Sequence, residues 1–254
     1  MPPRERRLRP SDWARQLVLS AKGAYHFALH PTSRATFTAF SEAIVRFRAN
    51  RDFVTFVLED PDVARLCRER YVGRRYTREE LLAYPPGSLG QELGAAMKEN
   101  DFDPHFYRGF YGDAVPEFKT DEEYLRFRVR QLHDIAHVLT GFAMTEFPGE
   151  LGMQAFLAAQ TRRPFSIGLV GFGMLRIILV PQELPRTLHE VAKGFAMGYA
   201  ARQLLGQRFE EQFAKPVAQW RLELGLVDSK AVAFADDARA PAAARPREVA
   251  HTAR

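Results

Sequence analysis

Apolar residues recur at helical spacing along most of the chain, and Pro and Gly mark the ends of the periodic stretches. No alternating apolar and polar run of useful strand length is present. The pattern therefore predicts an all-α fold, a single-domain helical bundle. The expected helices cover about 11–30, 36–60 (one or two helices), 61–71, 88–100, 121–140, 148 onward, 165–180, 184–205 and 209–224, with an aromatic-rich loop over 102–118.

Composition divides the chain into three parts. With 254 residues and 46% hydrophobic content, the chain can bury one substantial core. We assign residues 10–228 to a single helical domain and residues 1–9 to a basic arm. Residues 229–254 are rich in Ala, Arg and Pro with few apolar anchors, which predicts a disordered tail.

The net charge of +5 belongs to the two ends. The arm carries a net +3 and the tail a net +2, so residues 10–228 are balanced. A domain without basic excess is not expected to follow a phosphate backbone, which argues against nucleic acid as a partner. The basic ends either approach an anionic membrane or simply solubilise the protein, and the second interpretation is favoured.

One cysteine, Cys67, excludes an intrachain disulfide framework and any multi-cysteine metal site. It fits a reducing compartment, with the cytoplasm as default. The Arg-rich start is not followed by the apolar stretch of a signal peptide. The longest apolar stretch, residues 165–180, contains Ser166 and Arg176 and is too short for a membrane span of about 20 residues.

The strongest chemical pattern is His133-Asp134-Ile135-Ala136-His137 in the predicted helix 121–140. At about 100° per residue, His137 lies about 40° and Asp134 about 100° from His133, so the three share one arc. The apolar residues of this helix occupy a separate arc: Leu125, Val129, Leu132, Ile135, Ala136 and Leu139. Two His four residues apart can bind one ion, and Glu150 beyond a Gly-Pro turn can add a carboxylate. The sequence therefore predicts a divalent-metal site suited to Zn, Fe or Mn.

Other residues on this arc bear on a substrate. Gly141 leaves space beside the expected ion. Arg126 and Arg130 lie on the same face, one and two turns before the ligands, where they can hold a carboxylate or phosphate. Solvation of both, or pairing with Glu122 and Glu123, is an equally favoured alternative.

The spacing of two His alone is weak evidence for a metal. His26 and His30 have the same spacing without an intervening carboxylate, and we interpret them as core or surface residues. The His-Glu-x-x-His motif of zinc proteases is not met, since Asp134 follows His133.

The context of the motif is more specific. It includes Pro86-Gly87-Ser88-Leu89-Gly90 upstream, Arg128-Val129-Arg130-Gln131-Leu132 leading in and Val138-Leu139-Thr140-Gly141 leading out. Gly198-Tyr199-Ala200 and Arg221-Leu222-Glu223-Leu224-Gly225 follow downstream. Over residues 80–226 the sequence resembles the coenzyme Q (ubiquinone) biosynthesis protein 4 family. The turn before Glu150 is one residue longer than is usual in the family, which leaves Glu146 as an alternative ligand and fits a divergent bacterial branch.

The resemblance implies a helical ubiquinone biosynthesis protein that is peripheral on the membrane. The implied reaction is metal-dependent decarboxylation and hydroxylation at C1 of a polyprenylated aromatic precursor, alongside other ubiquinone biosynthesis enzymes and with a homodimer possible. Carried over by position, the implied metal ligands are His133, Asp134, His137 and Glu150. Zinc is favoured, with Fe, Mn, Mg or Co as alternatives. The implied location is the inner face of a bacterial membrane, or the matrix side of the inner membrane in a mitochondrion.

Two other functions are considered. The first is a non-catalytic scaffold that binds a prenyl lipid and organises biosynthetic enzymes. The second is a His-Asp phosphohydrolase, which is weaker because His105 has no convincing downstream Asp. Gly168, Gly171 and Gly173 give helix 165–180 flat strips for a partner or lipid chain, although a buried core helix is at least as favoured. The same two interpretations apply to Phe195, Met197 and Tyr199, to which no ligand role is assigned.

Overall fold

The computed structural model describes residues 49–104 and 117–231, together with the single position Val18. Ten α-helices lie in these ranges: α1 Ala49–Leu58, α2 Pro61–Glu69, α3 Arg78–Leu82, α4 Leu89–Glu99, α5 Asp121–Gln131, α6 His133–Thr140, α7 Phe147–Thr161, α8 Pro164–Leu179, α9 Leu184–Ala200 and α10 Val217–Leu224. Short 3₁₀ turns occupy Pro181–Glu183, Phe209–Glu211 and Ser229–Ala231. These ranges contain no strand, only an isolated bridge between Ser88 and Pro216, so the all-α prediction is confirmed.

Several predictions fall outside the described residues. They are the basic arm, the helix over 11–30 with its two His, the part of 36–60 before residue 49, His105 with the centre of the aromatic-rich loop, and the tail from residue 232.

Side-chain caps begin the helices that precede the site. Asp60 accepts hydrogen bonds from the amides of Asp62 and Val63, and Ser88 accepts one from the amide of Gln91. Thr77 and Glu80 form a reciprocal capping box at α3, a five-residue helix that the apolar pattern did not predict. Caps of this kind satisfy the first free amides of a helix and fix where it begins.

The predicted helix 121–140 is divided at Leu132 into α5 and α6. Its N-cap is Thr120: the backbone of Thr120 is extended and its hydroxyl accepts from the amide of Glu123 at 3.2 Å. Asp121 lies in the first turn, where a carboxylate interacts favourably with the helix dipole. At the junction, the Leu132 amide still donates to the Arg128 carbonyl at 3.0 Å, so the helical path continues into α6.

The apolar arc of α5 and α6 faces the core, as the sequence predicted. Its six members are 0–2% exposed: Leu125, Val129, Leu132, Ile135, Ala136 and Leu139. They belong to a cluster that reaches from Phe53 in α1 to Leu226 after α10. One continuous core therefore joins both described ranges and holds α6 in place along one side.

Helix α7, which carries Glu150, packs closely between two neighbours. A Cβ on Gly194 of α9 would lie 2.1 Å from the Gly152 carbonyl oxygen, so the two backbones approach at a distance that only Gly allows. Against α8, the apolar contacts are made by Phe147, Leu151, Phe165 and Leu169. This packing on two sides fixes the orientation of the first turn of α7.

The C-terminal helices differ from the sequence prediction. Of the expected helix 209–224, only Val217–Leu224 is α-helical, because residues 213–217 pair with the segment that leads into α4. The amides of Leu89 and Gly90 donate to the carbonyls of Lys215 and Phe213 at 2.9 and 2.8 Å. Helix α9 ends at Ala200 rather than near residue 205, since Ala201 is extended and the Gln160 amide binds its carbonyl.

Helix α8 is neither fully buried nor fully exposed. Phe165 and Leu169 lie in the interior, whereas Ile167, Leu175 and Ile178 are 53%, 54% and 77% exposed. Leu184 and Leu188 at the start of α9 are also exposed. We call these five exposed side chains the α8–α9 apolar face. Within the described part of the chain, no helix combines the length and apolarity needed to span a bilayer.

Candidate metal centre

Three predicted ligands converge at the start of α6 and α7. The Nε2 atoms of His133 and His137 are 3.3 Å apart. Glu150 places one carboxylate oxygen 3.5 Å from Nε2 of His133 and the other 3.4 Å from Nε2 of His137. His133, His137 and Glu150 therefore form a compact group of two imidazoles and one carboxylate.

The local fold explains this convergence. One helical turn in α6 brings the two His to the same side, with their rings edge to face at a centroid distance of 4.7 Å. Gly141, at φ +80°, ends α6 in the left-handed conformation and turns the chain toward α7. Glu150 lies in the first turn of α7 and faces back toward α6.

A backbone hydrogen bond orients His137. Its Nδ1 lies 3.0 Å from the Phe142 carbonyl oxygen. Because a carbonyl only accepts, Nδ1 carries a proton, and Nε2 is the ring nitrogen that faces His133 and Glu150. Metal-binding His residues are commonly fixed in this way by an outer hydrogen bond.

The charges of the group are strongly coupled. Burial alone would lower the pKa of His133, but the hydrogen bond with Glu150 and the negative charges of Glu150 and Asp134 outweigh it, and the pKa is raised. Burial would raise the pKa of Glu150, yet the charge of His137 and the hydrogen bonds from both His hold it well below its usual range. Glu150 is thus a carboxylate available to a cation.

The other predicted site residues occupy different positions. The Asp134 carboxylate is not part of the converging group, although its charge acts on His133. Glu146, the alternative to Glu150, forms an ion pair with Arg186 of α9. The structure therefore brings Glu150 rather than Glu146 to the two imidazoles.

Arg126 and Arg130 were predicted to hold a substrate anion. Arg126 pairs with Glu122 across one helical turn at 3.5 Å, which is the alternative considered for it, and Arg130 is half-buried. Arg163, which sequence reasoning missed, is 4% exposed and close enough to His133 for its charge to oppose the rise in pKa. No spacing rule connects Arg163, just before α8, to a motif thirty residues earlier.

The donor set fits a divalent metal. Two ligands bound at about 2.0–2.1 Å in tetrahedral geometry are about 3.3–3.4 Å apart. The two Nε2 atoms, 3.3 Å apart, match this separation, and each lies 3.4–3.5 Å from a different oxygen of Glu150, close to the same value. Two His and one Glu are a typical set for a catalytic zinc with an open position, and they also suit iron.

The group has access to solvent and to a cavity. The side chains of His133 and Glu150 are 28% and 33% exposed, whereas that of His137 is only 1% exposed. His137 also lines a cavity of about 640 Å³ whose walls include the charged residues Glu92, Glu99, Arg221 and Asp228. Such a lining suits water or the polar head of a ligand better than an apolar chain.

Comparison with known proteins identifies relatives over most of the chain. A ubiquinone biosynthesis protein homologue, described as mitochondrial, from Xenopus tropicalis is 28% identical over 223 residues, covering 86% of this chain and 76% of the relative. A mitochondrial ubiquinone biosynthesis protein from Botryotinia fuckeliana is 29% identical over 175 residues, 67% of this chain and 59% of that protein. The chain thus spans about three fifths of this fungal relative.

A solved structure has the same fold. The crystal structure of a protein from Nostoc punctiforme, provisionally assigned to ubiquinone biosynthesis, superposes with a TM-score of 0.73 at 27% identity, covering 84% of this chain and 98% of that one. The family model described as coenzyme Q (ubiquinone) biosynthesis protein Coq4 matches residues 7–230. The chain therefore belongs to the Coq4 family of ubiquinone biosynthesis proteins.

Proposed function

We propose that this protein is a metal-dependent enzyme that removes the C1 carboxyl of a polyprenylated aromatic precursor and places a hydroxyl there. The single observation that supports this proposal most is the convergence of His133, His137 and Glu150 at separations suited to one metal ion. Membership of the Coq4 family points to ubiquinone biosynthesis. A metal centre is suited to the chemistry of this one step of the pathway.

A divalent metal held by these three residues, with zinc favoured, supplies a Lewis acid for a carboxylate or phenolate. The chain's own residues have separate roles. The Phe142 carbonyl keeps His137 in the tautomer that binds through Nε2, and Glu150 contributes the negative charge. Arg163 places positive charge near His133, where it favours an anionic substrate group. Asp134 is proposed as a further ligand on the resemblance alone.

Turnover by purified protein tests this proposal. Protein loaded with metal and supplied with precursor and oxygen is expected to release carbon dioxide and form the hydroxylated product, and His137→Ala is expected to lose this activity. A protein that binds the precursor and captures other ubiquinone biosynthesis enzymes, but never converts the precursor, would instead be a scaffold.

The α8–α9 apolar face supports contact with a membrane. Ile167, Leu175 and Ile178 recur along one side of α8, and exposed Leu184 and Leu188 begin the next helix. Five exposed apolar side chains on consecutive helices form a surface of the kind that meets lipid or another protein. The excess positive charge lies in residues 1–9 and 229–254 and would add attraction to an anionic bilayer, so we propose that this face lies on the membrane surface.

Ile178→Asp is expected to weaken binding to vesicles of anionic phospholipid by roughly 10–100-fold, because burial of one large aliphatic side chain contributes about 1.5–3 kcal/mol. Sedimentation with vesicles measures the change. Leu222→Asp is the matched control, since Leu222 is 83% exposed on α10, outside this face. Unchanged vesicle binding, or conversion of a dimer into monomers by Ile178→Asp, would assign the face to another role.

A further inference from the structure

We infer that Arg221 and Asp228 are positioning residues for the metal centre, acting through the turn that joins α6 to α7. The inference rests on the proposed metal centre and assigns to these two residues the task of keeping its ligands at the correct separation. Neither residue belongs to the converging group itself.

Arg221 of α10 binds the end of α6 with two of its nitrogens and Asp228 with the third. Its Nε donates to the Leu139 carbonyl at 2.8 Å and its Nη2 to the Val138 carbonyl at 3.1 Å. The remaining Nη1 lies 2.8 Å from Oδ2 of Asp228. The last carbonyls of a helix have no partner within the helix, and a cation there also favours the helix dipole. Arg221 therefore fixes the last turn of α6, beginning one residue after His137.

Asp228 contacts the turn that follows α6, at Gly141. Gly141 adopts φ +80° and its amide donates to the His137 carbonyl at 2.8 Å. A Cβ on Gly141 would lie 2.1 Å from Oδ1 of Asp228, so carboxylate and turn are in close contact. The Asp228 side chain is itself held by the Lys230 amide, which donates to Oδ1 at 3.0 Å. The residues after α10 thus form a fixed support for Gly141.

The same turn contacts both ligand-bearing helices. The Phe142 carbonyl binds Nδ1 of His137. A Cβ on Gly149 would lie 2.5 Å from the Ala143 carbonyl oxygen, so the backbone of the turn rests on α7 next to Glu150. Displacement of residues 141–143 would therefore move the hydrogen bond that orients His137 and the contact that positions Glu150.

The planar guanidinium of Arg221 suits this task better than an ammonium group would. It bonds two successive carbonyls and a carboxylate at once, whereas Lys can supply charge without the rigid fork. We call these contacts of Arg221 and Asp228 the α6 clamp. Loss of the clamp should loosen the metal centre while leaving all three ligands in the chain.

Chelator-driven loss of Co²⁺ from the loaded protein tests the clamp. Arg221→Ala is expected to release Co²⁺ about 10–100-fold faster than the wild type, the range typical for loss of an outer support of a metal ligand. The visible absorption bands of Co²⁺ bound to Arg221→Ala are also expected to broaden. Arg221→Lys is expected to be intermediate, and Asp228→Asn, a milder change, to show a smaller effect in the same direction.

Arg70→Ala is the matched control. Arg70 donates to the Cys67 carbonyl at the end of α2 and pairs with Asp121, both at 2.7 Å. It therefore joins a helix end to a carboxylate as Arg221 does, but its partner Asp121 lies twelve residues before His133. Rapid metal loss from Arg221→Ala with wild-type behaviour of Arg70→Ala supports the inference. The inference is overturned if both variants release Co²⁺ at the wild-type rate. It is also overturned if both release Co²⁺ equally fast, in proportion to their loss of folding stability. A wild-type protein that binds no metal would instead refute the proposed function.

Discussion

Glu210→Ala is expected to destabilise the protein by about 3–5 kcal/mol, because it leaves the buried charge of Arg128 without a counter-ion. The side chains of both residues are fully buried, and Nη1 of Arg128 lies 2.5 Å from Oε1 of Glu210. Arg128 also donates to the side chain of Gln131 and the carbonyl of Gln207, but these neutral acceptors cannot balance its charge. The free energy of unfolding, measured by urea titration, checks the value.

A neighbour on the same 3₁₀ turn gives the control. Glu211 pairs with Arg208 at 3.0 Å, and its side chain is about half exposed. Exposed pairs contribute at most about 1 kcal/mol, so Glu211→Ala is expected to have a small effect. Similar decreases in the free energy of unfolding of the two variants would show that the ion pair between Arg128 and Glu210 does not contribute the expected stability.

Glu150→Gln is expected to reduce metal affinity on the order of 100-fold or more, above the range typical for outer-sphere partners. The substitution keeps the size of the side chain but removes the negative charge that faces both His. Competition with a chelator of known affinity measures the change, and circular dichroism should show an intact helical fold.

Glu146→Gln is the comparison for this experiment. Glu146 lies four residues earlier and pairs with Arg186, so its removal is expected to leave metal affinity unchanged. The reverse pattern, with weak binding in Glu146→Gln and normal binding in Glu150→Gln, would transfer the third ligand to Glu146 and contradict the geometry of α7.

The sequence was sufficient to predict the part of the site that lies on one helix, His133 and His137. The spacing of His133 and His137 requires them to share a side, and the apolar residues around them require the opposite side to be buried. The choice between Glu150 and Glu146 was open because it depends on how α7 leaves the turn. That direction follows from packing of Gly149 and Gly152 against the turn, which the local pattern does not encode.

The supporting residues could not be predicted for a related reason. Arg163 precedes α8 and Arg221 lies in α10, both far along the chain from the motif, and the Phe142 carbonyl is a backbone group common to every residue type. Periodicity describes which side of a helix is buried, whereas these contacts depend on how distant helices meet. The end of α9 and the irregular chain before α10 were misassigned for the same reason, since tertiary hydrogen bonds determine both.

Metal analysis of protein purified without chelator tests the central claim most directly. We expect about one divalent ion per wild-type chain and almost none in His133→Ala or His137→Ala, with all three proteins soluble and helical. Stoichiometric metal in both variants, or a wild-type chain that takes up no divalent ion when supplied with one, would contradict the assignment of His133, His137 and Glu150 as a metal centre.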